Sequence, residues 1–464
     1  MALPEAGIKT AVDTSLNLVQ EIPWWEQQAR DIRMTIARDF REKLASGVVT
    51  KGIRSLTIMA RESQRVMREA GIPEDKAVRS LAIGDIDLRG EPVADDLGLT
   101  ANSEIRHQIE AFVSRELESH QDRPADSLTS YQPEAIGYYP TREAFAAFMS
   151  RFGIPYSADN TILSYGSLSG IDGLLGTIAI LAKKNGVGVD MVFPAPGFSV
   201  IAAQARRRSI DVRTVLTDAD TGYCITQKHL EQTLNNVSPD MTTLYLTPMA
   251  NPTSSVYEVN ALKETLQTFK RLRPNGIILV DLAYIEMIPE EEACAILDQF
   301  KKTDTVEQAV MITSMSKLFG EPRLRAGALH TKNAQLRKEL QTHWQTVFAS
   351  LSGPMELTAL AKWHLVPREA RIRMFDLFRS RQDALLKYFE RTNARLTEDG
   401  RPPIVALSSV HRDIPLYMYA KLEPGYDFLD LFIETGIVGV PGDVFEDDPK
   451  ENMMRFSMGM ESFI

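Results

Sequence analysis

A chain of 464 residues that is 44% hydrophobic and 25% charged has ample apolar material for large cores, which excludes a disordered or fibrous polymer. It reads as a soluble globular protein of two or three domains. Its formal net charge of −10 offers no general attraction to nucleic acid or to an anionic membrane. Two cysteines, Cys224 and Cys294, are too few for a disulfide framework, so a reducing, cytoplasmic setting is expected. Glu5, Asp13, Glu21 and Glu26 break the basic-then-apolar layout of a signal peptide. The longest clean apolar run, residues 173–182, falls far short of the roughly 18 residues that cross a membrane. Seven scattered histidines, with no His-x-x-x-His and no Cys-x-x-Cys, give no metal signature.

Ile32, Ile36, Phe40 and Leu44 recur at i+4 and predict a helix that ends before Gly47. Residues 56–69 predict a second helix, stopped by Gly71-Ile72-Pro73. Residues 1–75 therefore read as a helical arm or extension. With 11 Lys plus Arg against 11 Asp plus Glu, this segment lacks the basic footprint of a DNA-binding module. Trp24, Trp25 and Phe40 are expected to pack against a neighbouring subunit.

From about residue 135 to 330, short apolar β-rich runs alternate with longer helical stretches, the pattern of a mostly parallel sheet flanked by helices. Strands are expected at residues 191–193, 243–246, 276–280 and 309–313. After residue 335, long charged helical segments such as 368–395 precede short strands near 416–420 and 455–458, which suggests a smaller α+β domain.

Strands of a parallel sheet open their carboxyl ends onto one crevice, where polar residues distant in sequence converge. The run Gly-Ile-Ile-Leu-Val leads into Asp281-Leu282-Ala283-Tyr284, and Ala-Val-Met-Ile-Thr leads into Ser314-Met315-Ser316-Lys317. An acid and a lysine are thus expected at one site. Residues 164–170 form a small-residue turn before a helix whose Ile171, Leu174, Leu175 and Ile178 share a stripe closed by Gly186. Such a helix start can hold a phosphate on free N–H groups and the dipole, or can be an ordinary N-cap.

Further motifs extend the series. Leu81-Ala82-Ile83-Gly84-Asp85-Ile86-Asp87 and Gly137-Tyr138-Tyr139-Pro140 come first, then Gly166-Ser167-Leu168 and Pro194-Ala195-Pro196-Gly197-Phe198. Asn251-Pro252-Thr253, Asp281-x-Ala283-Tyr284 and Ser314-x-Ser316-Lys317 with Arg325 follow, and Pro441-Gly442-x-x-Phe445 and Arg455-Phe456-Ser457 complete the set. Asp281 and Lys317 are 36 residues apart, and Lys317 and Arg325 are 8 apart. In order and spacing this set resembles the fold-type I pyridoxal 5′-phosphate enzymes, and within them the class I/II aminotransferases, over about residues 80–460.

The resemblance implies an α/β, aspartate-aminotransferase-like fold, with a large domain built on a mostly parallel sheet and a smaller α+β domain. Its boundaries would be an N-terminal helical extension at 1–75, a lead-in segment and first part of the small domain at 76–134, the large cofactor-binding domain at 135–335 and the C-terminal small domain at 336–464. Residues 81–87 would be the family's entry strand. Pyridoxal 5′-phosphate is the implied cofactor, held as an internal aldimine by Lys317, which would also shuttle the Cα proton.

Asp281 would keep the pyridine nitrogen protonated, and Asn251 and Tyr284 would bond the 3-oxygen. Lys317, Asp281 and Tyr284 form the implied catalytic set. Arg325, Ser314 and the N–H groups of Ser167 and Leu168, after the turn at Gly166, would grip the phosphate. Phe198, or a neighbour in its loop, would stack on the ring. Tyr139, or else Tyr138, would reach the phosphate of a partner subunit in a homodimer with shared active sites.

Arg455 would bind the substrate α-carboxylate, with Gly84 and Asn251 beside it. The implied activity moves the amino group of an L-amino acid to a 2-oxo acid through pyridoxamine phosphate. Elimination, decarboxylation, cyclisation or oxidation share the same cofactor motifs, and a regulator built on the same fold is a further alternative. The chain departs from the family at Ser254-Ser255, where Gly is usual after Asn-Pro-Thr, and at Leu282, where a carboxylate is usual. Glu321 and Arg323 also replace the small or apolar residues common in the loop after the lysine.

Overall fold

The structure, a computed structural model, describes residues 24–119, 131–132, 134–235 and 241–460. Residues 1–23, with Glu5, Asp13 and Glu21, and the side chain of Trp24 lie outside them. Helices α1 (Trp24–Ala45) and α2 (Ile53–Glu69) form where the i+4 pattern places them, α2 starting three residues ahead of the expected 56. Leu56, Met59, Ala60 and Met67 line the buried stripe of α2.

The remaining framework is thirteen strands: β1 (Arg79–Ser80), β2 (Thr161–Ser164), β3 (Val189–Ala195), β4 (Asp211–Leu216), β5 (Met241–Leu246), β6 (Ile277–Asp281), β7 (Ala309–Ser314), β8 (Gly327–Thr331), β9 (Val405–His411), β10 (Tyr417–Leu422), β11 (Ile437–Val438), β12 (Val440–Pro441) and β13 (Met453–Ser457). Seven of them form one sheet in the order β2-β8-β7-β6-β5-β3-β4. Only β8 runs against its neighbours, so the other strands all direct their carboxyl ends to one edge.

This sheet is covered on both faces, which is why its strands read as unbroken apolar runs. Met191, Phe193, Leu279 and Ile312 pack with Leu174, Ile178 and Trp344 from helices Gly166–Asn185 and Ala334–Val347 on one side. Val192, Leu244, Val280 and Met311 pack with Leu266, Phe269, Leu297 and Phe300 from helices Val259–Leu272 and Glu290–Lys302 on the other. The period of two thus divides one strand between two cores.

A four-stranded antiparallel sheet, β12-β13-β10-β9, and the parallel pair β1-β11 make the smaller layer. Helix Arg368–Glu398 crosses between the two layers and carries Phe378, Leu385 and Phe389 into the core.

Two expectations are corrected here. The first concerns residues 81–87, which are not a strand: pairing stops after Ser80. Beyond it the Leu81 N–H donates to Val438, while Leu81 and Gly459 accept bonds from Ser457 and Asp87 respectively. Single bonds spread over two elements make no ladder. The second concerns Phe40 and Trp25, which pack within their own chain. Phe40 is 6% exposed and meets Phe428 edge-on, with ring centroids 6.4 Å apart. Both join a core with Leu429 and Phe432 of helix Phe428–Thr435. Arg30 and Arg401 tie the same region together on the buried carboxylate of Glu434, each at 2.8 Å.

Candidate active site

The carboxyl edge of the large sheet faces the smaller layer across a cavity of about 590 Å³, within the range of small-molecule sites. Its wall contains Gly84, Ser167, Leu168, Phe198, Asn251, Asp281, Tyr284, Ser314, Lys317, Arg325 and Arg455. Of the residues expected at the site, Gly166 lies behind this wall. Tyr139 is 54% exposed at the start of helix Tyr139–Ser150, outside the cavity, with the Arg142 guanidinium 5.4 Å from its ring. Tyr138 is half-buried and its N–H donates to Glu356 at 3.0 Å.

Asp281 ends β6 and is buried. The Ala283 N–H donates to Oδ1 at 3.1 Å and the Tyr245 hydroxyl to Oδ2 at 3.2 Å. Burial pushes its carboxyl up to about 6, against the pull of these two donors. A cation placed beside this group would recover the ionised form. Tyr284 follows three residues later, its hydroxyl 3.3 Å from that of Tyr417 on β10.

At the end of β7, Ser314 caps the short helix Met315–Leu318 by accepting from the Ser316 N–H at 3.2 Å. This turn carries Lys317, half-buried, whose Nζ donates to the Gly84 carbonyl. Arg325 adopts φ +57° and holds its guanidinium by donating to the carbonyls of Tyr165, at 3.1 Å, and Pro322, at 3.0 Å. Those bonds place it at the first turn of helix Gly166–Asn185, whose N-terminus has no side-chain cap. Uncapped N–H groups, an arginine and the Ser314 hydroxyl form an anion cradle.

On the opposite wall, β13 carries Arg455, which is 1% exposed. It lies between the rings of Tyr417 and Phe445, with centroids 4.9 and 4.8 Å away. Nη1 donates to Asn251 Oδ1 at 3.0 Å and Nη2 to the Ala82 carbonyl, while Nε has no partner. Burial lowers its pKa, and only tyrosines act to raise it. No carboxylate pairs with it among the described residues.

The departures from the expected pattern have plain local roles. Ser254 takes φ +59°, and its hydroxyl donates to the Ile414 carbonyl at 2.9 Å and accepts from the Ile414 N–H at 3.0 Å. Leu282 is fully buried in the core. Glu321 pairs with the buried Lys362 at 2.8 Å, and Arg323 is exposed.

A sequence model of aminotransferase classes I and II matches residues 97–462. The chain belongs to the class I and II aminotransferase family. Its aspartate-aminotransferase-like fold agrees: aspartate aminotransferase from Thermus thermophilus with maleate superposes with a TM-score of 0.64, at 16% identity, over 89% of this chain and 93% of that one. Among curated relatives, histidinol-phosphate aminotransferase of Francisella philomiragia is 26% identical over 179 residues, which is 39% of this chain and 45% of that protein. Tyrosine aminotransferase of Bos taurus is 23% identical over 301 residues, 64% of this chain and 61% of that protein. The chain thus spans about half the length of these relatives.

Sequence reasoning missed several residues of the site in this family member. Tyr245 supports Asp281, and Tyr417 meets both Tyr284 and Arg455. The alternation Tyr417-x-Tyr419 on a short strand was the available signal. Thr50, Gly52, Ile53, Arg54 and Ser55 also line the cavity, because the start of α2 reaches it. Nothing in the local pattern of residues 50–55 foretells that. Among the described residues no helix is long and apolar enough to cross a membrane, and Cys224 and Cys294 are both free.

Proposed function

We propose that this chain is a pyridoxal 5′-phosphate-dependent aminotransferase that moves the amino group of an L-amino acid to a 2-oxo acid. The observation that carries the reading is Arg455. A guanidinium this deeply buried without an acidic partner is costly, and a carboxylate entering the cavity beside it removes that cost. Its fixation by Asn251 and the flanking rings orients the incoming α-carboxylate, and so the substrate Cα, toward Lys317 across the same cavity.

The residues fit the cofactor. The cradle of Arg325, Ser314 and the Ser167 and Leu168 N–H groups suits its phosphate, Asp281 suits a protonated ring nitrogen, and Phe198 suits a ring face. When bound, the cofactor supplies a carbonyl that exchanges amino groups and a ring that withdraws electrons from Cα. Asp281 holds the ring proton, and Tyr284 and Asn251 orient the ring through its 3-oxygen. Lys317, as the free amine, moves the proton at Cα.

Exposed Tyr139 is assigned to a partner subunit's cofactor phosphate in a homodimer, and the free cysteines fit a reducing cytoplasm.

The test is the visible absorption of purified protein loaded with pyridoxal phosphate, with and without borohydride, in wild type and Lys317→Ala. A band that borohydride bleaches, present only with Lys317 and discharged by an L-amino acid, is expected. A protein that takes up no pyridoxal phosphate, or one whose band no amino acid discharges, overturns the reading.

A further inference from the structure

Four cations and two carboxylates line the cavity: Arg54, Lys317, Arg325 and Arg455 against Asp85 and Asp281. The proposed function gives Arg325 to the cofactor phosphate, Arg455 to the α-carboxylate, Asp281 to the ring and Lys317 to the reaction. Arg54 is left over. It stands in the first turn of α2 and makes no ion pair or hydrogen bond among the described residues.

Three cations near it in sequence differ. Lys51 holds Asp443 at 2.7 Å, Arg41 holds Asp427 and Asp430 at 3.0 and 2.8 Å, and Arg65 on α2 holds Glu62 and Glu69, each at 2.6 Å. Asp85 does not come within ion-pair distance of Arg54, and its Oδ1 accepts from the Ile86 N–H at 2.9 Å. Thr50 and Ser55 line the same stretch of wall. Arg61, two turns further along α2, also lacks an ion pair among the described residues but lies outside this cavity, so Arg54, unpaired and on the cavity wall, is the cation placed for an anion that arrives with the substrate.

We propose that Arg54 determines specificity: it binds an anionic side-chain group, carboxylate or phosphate, of an amino acid whose α-carboxylate lies on Arg455. The proposal rests on the aminotransferase reading and deepens it. Two anchors at opposite ends of one substrate fix both its position and its direction in the cavity. A donor with an apolar side chain leaves Arg54 without a ligand.

The experiment compares holoenzyme of wild type, Arg54→Gln and Arg54→Lys. Single-turnover discharge of the visible band is followed with aspartate, glutamate, O-phosphoserine, alanine and leucine, and calorimetry measures binding of succinate and butyrate. In Arg54→Gln, the acidic-to-neutral ratio of kcat/KM and the succinate-to-butyrate affinity ratio are each expected to fall by about 10- to 100-fold, with part of the loss restored by lysine. Loss confined to O-phosphoserine names a phosphate as the group, and loss confined to aspartate or glutamate names a carboxylate. Ratios that do not move in Arg54→Gln overturn the assignment and leave the aminotransferase reading standing. A band that no amino acid discharges overturns both.

Discussion

Gly166 and Arg325 share a space that admits no further atom: a Cβ on residue 166 would lie 2.5 Å from Nη2 of Arg325. Gly166 also has φ +73°, so a side chain there is strained even before the clash. Gly166→Ala therefore has to push the guanidinium off the carbonyls of Tyr165 and Pro322. A roughly 10- to 100-fold weaker retention of pyridoxal phosphate is expected, measured by dialysis and visible absorption. Retention equal to wild type would remove Arg325 from the phosphate cradle.

Asp281 and Tyr245 separate charge from support. Asp281→Asn keeps the shape but removes the negative charge at the ring, and the half-reaction is expected to slow by about 10²- to 10³-fold. Tyr245→Phe deletes one donor at 3.2 Å and leaves the carboxylate, so a loss of about tenfold or less is expected. Stopped-flow absorption with one amino donor checks both, and equal losses would contradict this division.

Glu356 makes stability depend on pH. Burial raises its carboxyl from the usual 4.5 to about 7, opposed by the Tyr138 N–H and the Gln132 amide. Because the folded value lies above the unfolded one, this group's contribution is complete below about pH 4.5 and is lost as pH rises through about 7. Glu356→Gln does not titrate. Its stability relative to wild type is expected to improve by about 1–3 kcal/mol between about pH 4 and about pH 8 in urea melts.

Ser254 holds a left-handed backbone angle and both bonds to Ile414. Ser254→Gly relieves the angle while losing the hydroxyl, so a change within about 1 kcal/mol is expected. Ser254→Ala keeps the strain and loses both hydroxyl bonds, although the Ile414 N–H retains the Ser254 carbonyl at 3.1 Å, for a loss of about 1–2 kcal/mol. Chemical denaturation of the two variants side by side decides it.

Phe40→Ala removes a buried ring from the core shared by α1 and helix Phe428–Thr435, and about 3 kcal/mol of stability is expected to go with it. The loss should not vary with protein concentration, since the contact is within one chain. A loss that disappears on concentration would restore a role for Phe40 at a subunit boundary.

The strands of the large sheet were legible because burial on both faces leaves a run such as residues 277–280 wholly apolar. Asp281, Ser314 and Lys317 were legible for a related reason: an abrupt polar group after such a run stands at the sheet's open edge. Tyr245 was not, since an aromatic residue on a central strand looks like core until its hydroxyl is seen against Asp281. Residues 81–87 misled because the motif they resemble implies a strand, whereas their backbone bonds divide between β11 and the segment around 457–459. The reach of α2 into the cavity follows from its packing on α1, β1 and β11, with α1 in turn on helix Phe428–Thr435, contacts between residues nearly 400 positions apart.

The two walls of the cavity come from different parts of the chain. Lys317, Asp281, Ser314 and Arg325 rise from the large sheet, while Arg455, Tyr417, Gly84 and Arg54 belong to the smaller layer and the helices bound to it. On the proposed reading, the reaction and the choice of substrate are therefore served by separate walls. Substitutions confined to Arg54 and its neighbours on the smaller layer would then change which donors are accepted while Lys317 and Asp281 stay in place.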